Sequence, residues 1–465
     1  MAKWYDWLVS KMLASLEMTE TEILELEIAE HKKSQKFETM VKAGDYYRNR
    51  TAILEKVQKI EWKSNARLQM GLFKKMVDQK VGYLFSKAPT ISHDDEKIQD
   101  LLATVFDDKT LKEIKAIGRE TVVKGVAYAI PYYDEDGMIR LCKIPSQQII
   151  PFWADERYEQ VDAFVRMYPQ DVYKFGKKAQ QMCVEYWTDE GIWEYILDNQ
   201  GKLKKNPAYE KQPRSHFYYQ ESPDKEPIGF NWERVPLVVF RYNEEEQSLL
   251  EQTKSLIDNL ELQASTNADL LADIPKFIYI LKNYGGEDLA QFLHHLNEYR
   301  SIKVKSDGGV DKLQADINTQ AVEAEIVRSR KALYEAARAI DTQDENLGNA
   351  SGQALKWRYI DLDLDCNDLE NEFQQSILRF MWFVNQWALT KHSTEIDLNK
   401  FSYIFNRDII TNESEAIQDC QNSVGILDAQ TIREQHPWYT DKVEERLSKE
   451  DTHSHVGGEN YVEEE

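Results

Sequence analysis

Hydrophobic residues recur at helical spacing in three long stretches of the second half of the chain. The first covers about 249–271 and is stopped by Pro275, which cannot continue a helix. The second runs from about 317 to 340, which predicts a helix roughly 36 Å long, and the third opens near Ala354. The stripes comprise Leu249, Leu256, Leu260, Ala264, Ala268 and Leu271, then Val322, Ile326, Leu333, Ala337 and Ile340, then Leu362, Cys366, Leu369, Phe373, Ile377, Phe380, Val384 and Trp387. We therefore expect three helices that each bury one face.

A small mixed module separates the first two of these helices. PKFIYIL (275–281) is β-branched and aromatic, as strands are, and EDLAQFLHHLNEY (287–299) has helical period. SIKVK (301–305) alternates like a strand, and the turn signal Asp307-Gly308-Gly309 follows it. The pattern predicts a compact insert carried on two long helices.

The period changes to two between residues 126 and 240. VAYAIPYY and MIRLCKI flank residues 134–137, which form a hairpin signal. Further alternating runs are punctuated by turn signals at 189–191 and 199–201. This region is therefore predicted to be antiparallel β-structure inserted into a helical protein.

The remaining segments are mostly helical in pattern. Thr19 and Glu22 have the spacing of a capping box at the start of a helix. Amphipathic helices are expected over 64–86 and 109–124, the first with Leu68, Leu72, Met76 and Val77 inside. Two or three short helices are expected over 414–450.

The segment YIDLDLD (359–365) is ambiguous. Its strict alternation indicates a strand, on which Asp361, Asp363 and Asp365 share a face that invites a divalent ion. The spacing of the third stripe indicates a helix, around which these carboxylates spread. Residues 395–410 have the pattern of a strand or a pair of strands.

The order of several motifs resembles the portal proteins of tailed bacteriophages, in particular those of long-tailed phages of Gram-positive bacteria. In the motif VDQKVGYLFSKAP, Ser86 stands where the family usually has glycine. The matching motifs are VDQKVGYLFSKAP (77–89), GVAYAIPYYDEDG (125–137), IPSQQIIPFW (144–153), LIDNLELQAS (256–265), DIPKFIYILKNY (273–284), NASGQALKW (349–357) and NESEAI (412–417). The resemblance covers nearly the whole chain in order.

The resemblance implies an α+β portal fold with long stem helices, a mixed α/β clip, a β-rich wing and a helical crown. The implied divisions are a wing over 1–248 and 353–410, stem helices over 249–273 and 313–340, a clip over 274–312, a channel loop over 341–352, and a crown with an acidic tail over 411–465.

Composition and the motifs that are missing exclude several classes of function. The net charge of −23 argues against a protein that reads nucleic-acid sequence, because such proteins need a basic footprint. Acidic walls do suit a conduit that must not grip DNA. No apolar run reaches about 18 residues, so we expect no membrane segment. The four cysteines have no metal-ligand spacing, and no nucleotide-binding or nucleophile motif is present. We expect no enzymatic activity, no cofactor and no resident metal.

Three groups of residues are candidates for function. The polar loop DTQDENLGNASG is long for a simple helix–helix turn, and its glycines and acids suit a bore-lining loop. A basic cluster on the second helix is either a solvated, ion-paired face or a contact to DNA phosphates or a neighbouring subunit. Lysines of the clip are expected to dock partners. These candidates are Asp341, Asp344, Glu345, Asn346, Leu347, Gly348, Asn349, Ser351 and Gly352 in the channel loop, Arg328, Arg330 and Lys331 in the stem, and Lys282, Lys303 and Lys305 in the clip.

The resemblance implies a homo-oligomeric ring, a dodecamer, at one capsid vertex, assembled in the host cytoplasm and carried in the virion. Double-stranded DNA passes through it without sequence recognition during packaging and ejection. Implied partners are the terminase large subunit, the major capsid and scaffolding proteins, and a head-completion or adaptor protein. Two other classes stay open at this point, a non-viral oligomeric scaffold and an enzyme that processes nucleic acid.

Overall fold

The structure is a computed structural model, and it describes residues 18–59, 63–174, 176–220, 224–273, 278–282, 288, 290–292, 294, 298, 308–313, 319–343, 352–407, 413–434, 436 and 438–439. The α-helices are α1 (Glu20–Lys33), α2 (Gln35–Tyr47), α3 (Leu72–Phe85), α4 (Glu96–Val105), α5 (Asp108–Lys124), α6 (Leu249–Asp273), α7 (Thr319–Ala336), α8 (Gly352–His392), α9 (Glu413–Asn422) and α10 (Ala429–Glu434). Short 3-10 helices cover Ala52–Glu55, Ser146–Gln148 and Leu398–Lys400.

Every described strand pairs antiparallel with its neighbours. The strands are β1 (Thr90–Ser92), β2 (Val126–Tyr133), β3 (Ile139–Ile144), β4 (Ile149–Trp153), β5 (Val161–Lys174), β6 (Lys177–Trp187), β7 (Ile192–Leu197), β8 (Leu203–Lys205), β9 (Phe217–Tyr219), β10 (Ile228–Phe230), β11 (Val238–Arg241), β12 (Ile278–Lys282), β13 (Gly309–Leu313) and β14 (Ser402–Ile404). They form a five-stranded sheet of order β4-β5-β6-β7-β8, a three-stranded sheet of order β11-β2-β3, and three two-stranded pairs. The predicted α+β class is confirmed.

Helix α8 is the central helix of the main hydrophobic core. Its 41 residues give a rod of about 62 Å, and all eight apolar positions predicted for its stripe are buried. From Leu369 onward the stripe packs with residues of α3, α5, α6 and the three-stranded sheet in one cluster, whereas Leu362 and Cys366 lie in a smaller cluster. The hydroxyl of Ser376 donates to the carbonyl of Val239 at 2.7 Å, which ties α8 to β11. The sequence pattern therefore identified the main packing face correctly.

The N-terminal capping box is also present as predicted. The side chain of Thr19 accepts from the backbone N–H of Glu22, and the carboxylate of Glu22 accepts from the backbone N–H of Thr19. The ambiguous segment 359–365 lies inside α8, so the strand interpretation is wrong. Helix α4, Glu96–Val105, was not predicted.

Other boundaries differ from the predictions. The helix expected over 64–86 begins only at Leu72, and Leu68 is 44% exposed. Helix α7 ends at Ala336, before the predicted 340, and β14 is the one described strand within 395–410.

The module between α6 and α7 is described only in part. Its strand Ile278–Lys282 was predicted. The strand that pairs with it, Gly309–Leu313, was not predicted, and it begins at the last residue of the predicted turn 307–309. The strand predicted over 301–305 lies outside the described residues. No described helix is long and apolar enough to cross a membrane.

Candidate functional site: the helix pair and the root of the channel loop

Helices α6 and α7 pack side by side through the stripes predicted for them. Leu260 and Leu333 are buried, and the amide of Asn259 lies 3.4 Å from the hydroxyl of Ser329 across the pair. Other apolar side chains of this pair face solvent in the single chain, with Leu262 48% exposed and Val327 66% exposed. Leu271, predicted to be inside, is likewise half exposed. The pair therefore buries only part of its apolar surface within one subunit.

A strap of residues 66–70 runs along α6 where a helix had been expected. Every second backbone N–H group of the strap donates to a side chain of α6, and the acceptors are four residues apart. In an extended chain every second N–H points the same way, and in a helix residues four apart lie on the same face, so the two sets of groups line up. The three bonds join Ala66 to Asp269 at 2.6 Å, Leu68 to Ser265 at 2.9 Å, and Met70 to Glu261 at 2.9 Å. Because α6 takes these donors, the segment does not form its own helical hydrogen bonds.

The carboxylate of Glu261 also accepts a hydrogen bond from the hydroxyl of Thr51. Burial raises the pKa of Glu261 above its ordinary value. This helix face is polar although it is covered, because the strap supplies its partners.

Helix α7 ends in a Schellman motif that has arginine where glycine is common. Arg338 has φ +47°. Its N–H donates to the carbonyl of Glu335 at 3.0 Å, and the N–H of Ala339 donates to the carbonyl of Tyr334 at 2.9 Å. The motif turns the chain sharply from the helix into the next segment.

We call residues 338–342, which begin with this turn, the loop root. Helix α3 contacts the root at successive positions. The amide of Gln79 accepts from the N–H of Ile340 at 3.0 Å and donates to its carbonyl at 3.2 Å. Lys75 donates to the hydroxyl of Thr342 at 2.8 Å. The side chain of Ile340 is buried in a cluster with Tyr83 and two residues of α8.

Beneath the root lies a buried ion pair. Lys80 has no exposed surface, and its ammonium donates to Asp365 of α8 at 2.6 Å and to the carbonyl of Arg338 at 3.3 Å. The hydroxyl of Tyr242 donates to the same carboxylate oxygen of Asp365 at 2.7 Å. This network joins α3, α8 and the root through charge-assisted hydrogen bonds.

Asp363, two residues before Asp365 on α8, accepts from the hydroxyl of Tyr83 at 3.0 Å and pairs with Arg407. Burial and this hydrogen bond raise the pKa of Tyr83 to about 12. The carboxylates of Asp363 and Asp365 therefore serve protein partners, and the described residues contain no group of three or more side chains suited to a metal.

The basic cluster predicted on the second helix is largely ion-paired. Arg328 lies 2.6 Å from Glu325 on the same helix. Arg330 binds Asp341 through two N–H groups, at 2.5 and 2.8 Å, and this hydrogen bonding lowers the pKa of Asp341. Lys331 is exposed. The geometry favours the ion-paired interpretation for the two arginines.

The channel-loop residues Asp344, Glu345, Asn346, Leu347, Gly348, Asn349 and Ser351 lie outside the described residues. Gly352 is the first residue of α8. Of the loop candidates, Asp341 is the one whose side-chain contacts are described, and it lies in the root. The placement of the others in a bore stays a prediction.

In the module between α6 and α7, Lys282 pairs with Asp311 of the adjacent strand at 2.6 Å. The hydrogen bond from its ammonium raises the pKa of Lys282. Lys303 and Lys305 lie outside the described residues. A docking role for these lysines stays a prediction.

Sequence reasoning missed Lys75, Gln79, Lys80 and Tyr242. Each lies far along the chain from the group it binds, and no local spacing marks such a pair. One available signal was Lys80, a lysine on the apolar side of an amphipathic helix, which predicts a buried partner.

Comparison with known proteins gives a consistent result. The family described as "Phage portal protein, SPP1 Gp6-like" matches residues 26–454. The portal protein of Bacillus phage SPP1 is 31% identical over 394 residues, which cover 82% of this chain and 75% of that protein. The portal protein of Clostridium phage phiCD119 is 28% identical over 429 residues, covering 87% and 90%.

Solved structures give lower similarity. A chain from the neck of an empty gene transfer agent particle has a TM-score of 0.42 and 10% identity, covering 79% of this chain and 89% of that chain. A chain from the virion of a native gene transfer agent particle has a TM-score of 0.35 and 10% identity, covering 77% and 86%. The sequence matches, which span most of both chains, carry the assignment: the chain belongs to the SPP1 Gp6-like family of phage portal proteins.

Proposed function

We propose that this portal protein, a structural component of the phage virion, assembles into a dodecameric ring at one capsid vertex and conducts double-stranded DNA. Packaging and ejection both use the channel, and DNA passes without recognition of its sequence. The ring assembles in the host cytoplasm, and the subunit itself catalyses no reaction.

The observation that carries this proposal is the half-buried helix pair. In the single chain α6 and α7 expose large apolar side chains, Leu262, Leu271 and Val327, on helices that otherwise pack into the main core. Burial of a leucine or valine side chain is worth about 1.5–3 kcal/mol. Side-by-side packing of identical helix pairs in a closed ring would bury these positions in every subunit.

The divisions of the chain suit this role. We assign α6 and residues 313–340 to the stem and the module over 274–312 to the clip, on which the terminase large subunit and later a head-completion or adaptor protein dock. The β-rich wing faces the major capsid and scaffolding proteins. The net charge of −23 keeps attraction to DNA phosphates low, which favours sliding over gripping.

The first test is of ring assembly. Val327→Asp places a charge on the exposed apolar face of α7, and we expect loss of rings by mass measurement and by end-on electron microscopy. Tyr173→Asp, at a side chain 78% exposed on β5, is the matched control and should leave rings intact. A parent chain that stays monomeric at high concentration and is missing from phage particles contradicts the proposal.

An ATPase assay tests the non-enzymatic part of the proposal. Purified rings should not hydrolyse ATP alone, and hydrolysis should appear only when the terminase motor is added. Turnover that copurifies with the ring and is lost on a point substitution in this chain would support the enzyme alternative.

A further inference from the structure

Helix α3 presents one face to the loop root. Lys75, Gln79 and Tyr83 follow each other at four-residue intervals, which aligns them on one side of the helix. Lys75 bonds to Thr342, Gln79 bonds to the backbone of Ile340, and Tyr83 shares a buried cluster with the side chain of Ile340. Three successive turns of the helix therefore contact one short stretch of chain.

The contact of Gln79 has the geometry of a neighbouring β-strand. Its amide satisfies both the N–H and the C=O of Ile340, as the backbone of a paired strand would. Arg330 makes a second contact with the root by donating two hydrogen bonds to the carboxylate of Asp341. Two consecutive residues of the root are thus each held by two hydrogen bonds.

The helix that supplies these contacts is itself firmly placed. On its opposite face, Phe73, Met76, Val77 and Leu84 are completely or almost completely buried in the main core. The strap that precedes α3 is bonded to α6. A contact made from such a helix can define a position, because the helix cannot shift without disrupting the core.

We propose that α3 is the platform that positions the root of the channel loop, with Gln79 and Lys75 as its positioning residues. Arg330 of α7 then anchors Asp341 of the root, and the charges of this pair hold the chain in place instead of contacting DNA. The part that concerns the channel rests on the function proposed above. The platform sets the point and direction at which the chain leaves α7, and so sets the bore that DNA meets.

The experiment uses assembled rings of the full chain and two conservative pairs of variants. Gln79→Met keeps side-chain length but removes both hydrogen bonds to Ile340. Gln99→Met is its control, because the amide of Gln99 makes the same two kinds of backbone bond, to His93 N–H at 2.9 Å and to the carbonyl of Ile91 at 2.8 Å, away from the root.

The second pair uses neighbouring lysines of α3. Lys75→Met removes the bond to Thr342, whereas Lys74→Met changes an exposed lysine that faces away from the root and lies 5.8 Å from the ring of Tyr47. Since Lys74 is exposed and Lys75 partly exposed, we expect these variants to fold even if Gln79→Met does not.

The first readout is amide hydrogen exchange at residues 338–343 in the ring. Loss of the acceptor should raise exchange of the Ile340 amide about tenfold in Gln79→Met, with no change at this site in Gln99→Met. The second readout is the length of DNA packaged and retained, which should fall in Gln79→Met and Lys75→Met and stay at the parental value in both controls.

Each result has a definite meaning. Unchanged amide exchange at Ile340 contradicts the proposal that α3 positions the root. Raised exchange at Ile340 with DNA retention equal to that of the controls also contradicts it. If the parent ring neither packages nor retains DNA, the proposed function fails, while the exchange measurement still decides whether α3 holds the root.

Discussion

Replacement of Lys80 by methionine should strongly destabilise the subunit. Lys80 is fully buried, and it is the ammonium partner of Asp365 at 2.6 Å. In Lys80→Met the carboxylate of Asp365 stays in the core with the hydroxyl of Tyr242 and loses its close cation. The guanidinium of Arg338 lies 4.0 Å away on a side chain that is 53% exposed, so it compensates only weakly.

Removal of one partner from a buried ion pair costs about 3–5 kcal/mol. Because Asp365 keeps one hydrogen bond, we expect a loss of about 3 kcal/mol for Lys80→Met. Asp365→Asn leaves a fully buried ammonium without a carboxylate and should lose about 4 kcal/mol. The double variant Lys80→Met/Asp365→Leu leaves no buried charge, and with the Tyr242 hydroxyl unpaired it should lose only about 2 kcal/mol.

The measurement is urea unfolding followed by tryptophan fluorescence, with all variants in the same oligomeric state. A matched pair on the five-stranded sheet is the control. Lys178 and Asp171 lie 2.7 Å apart but are 59% and 45% exposed, so Lys178→Met should change stability by less than about 1 kcal/mol. The reasoning is refuted if Lys80→Met unfolds at the parental urea concentration, or if the double variant loses as much as both single variants together.

Two further predictions concern packing and pH. Gly118→Ala brings a methyl group to 2.5 Å from the buried ring of Phe85 and should cost about 1–3 kcal/mol, whereas Gly82→Ala, with no atom within 4 Å of the new methyl, should be neutral or stabilising in thermal melts. The bond from Arg330 lowers the pKa of Asp341, so its stabilisation is present above the unfolded-state pKa and is lost as pH falls through the folded-state pKa. Asp341→Asn should therefore be less stable than the parent in urea at neutral pH, and the difference should vanish in acid; an equal difference at every pH would contradict this.

The parts of the fold that sequence predicted are those with an unambiguous period. The stripe of α8 continues at helical spacing from Leu362 to Trp387, and every predicted position is buried. In residues 359–365 (YIDLDLD) the alternation of apolar and polar residues indicates a strand instead, so the two patterns conflict there. The helix prevails because Asp363 and Asp365 find partners on α3 and elsewhere, so their carboxylates need not share one strand face.

The parts that sequence did not predict depend on distant partners. Residues 64–71 have helical composition, yet the strap follows α6 because Glu261, Ser265 and Asp269 accept its N–H groups. Gln79 and Ile340 are separated by 261 residues. Nothing in either neighbourhood indicates that a glutamine amide will bind that backbone, so the root could be identified only from the structure.

The long helix α8 has a mechanical consequence. About a third of the way along, it is bonded to Lys80 of α3 through Asp365, and near its C-terminal end the indole of Trp387 donates to the carbonyl of Gly137 at 2.9 Å in the β2–β3 hairpin. The two contacts are about 33 Å apart along the helix, so a tilt of about two degrees about one displaces the other by about 1 Å. Hydrogen bonds tolerate only a few tenths of an ångström. A change in the orientation of α8 therefore cannot be gradual. It must break the contact at Asp365 or the contact at Trp387 and replace it with a different one, so the helix moves between discrete positions.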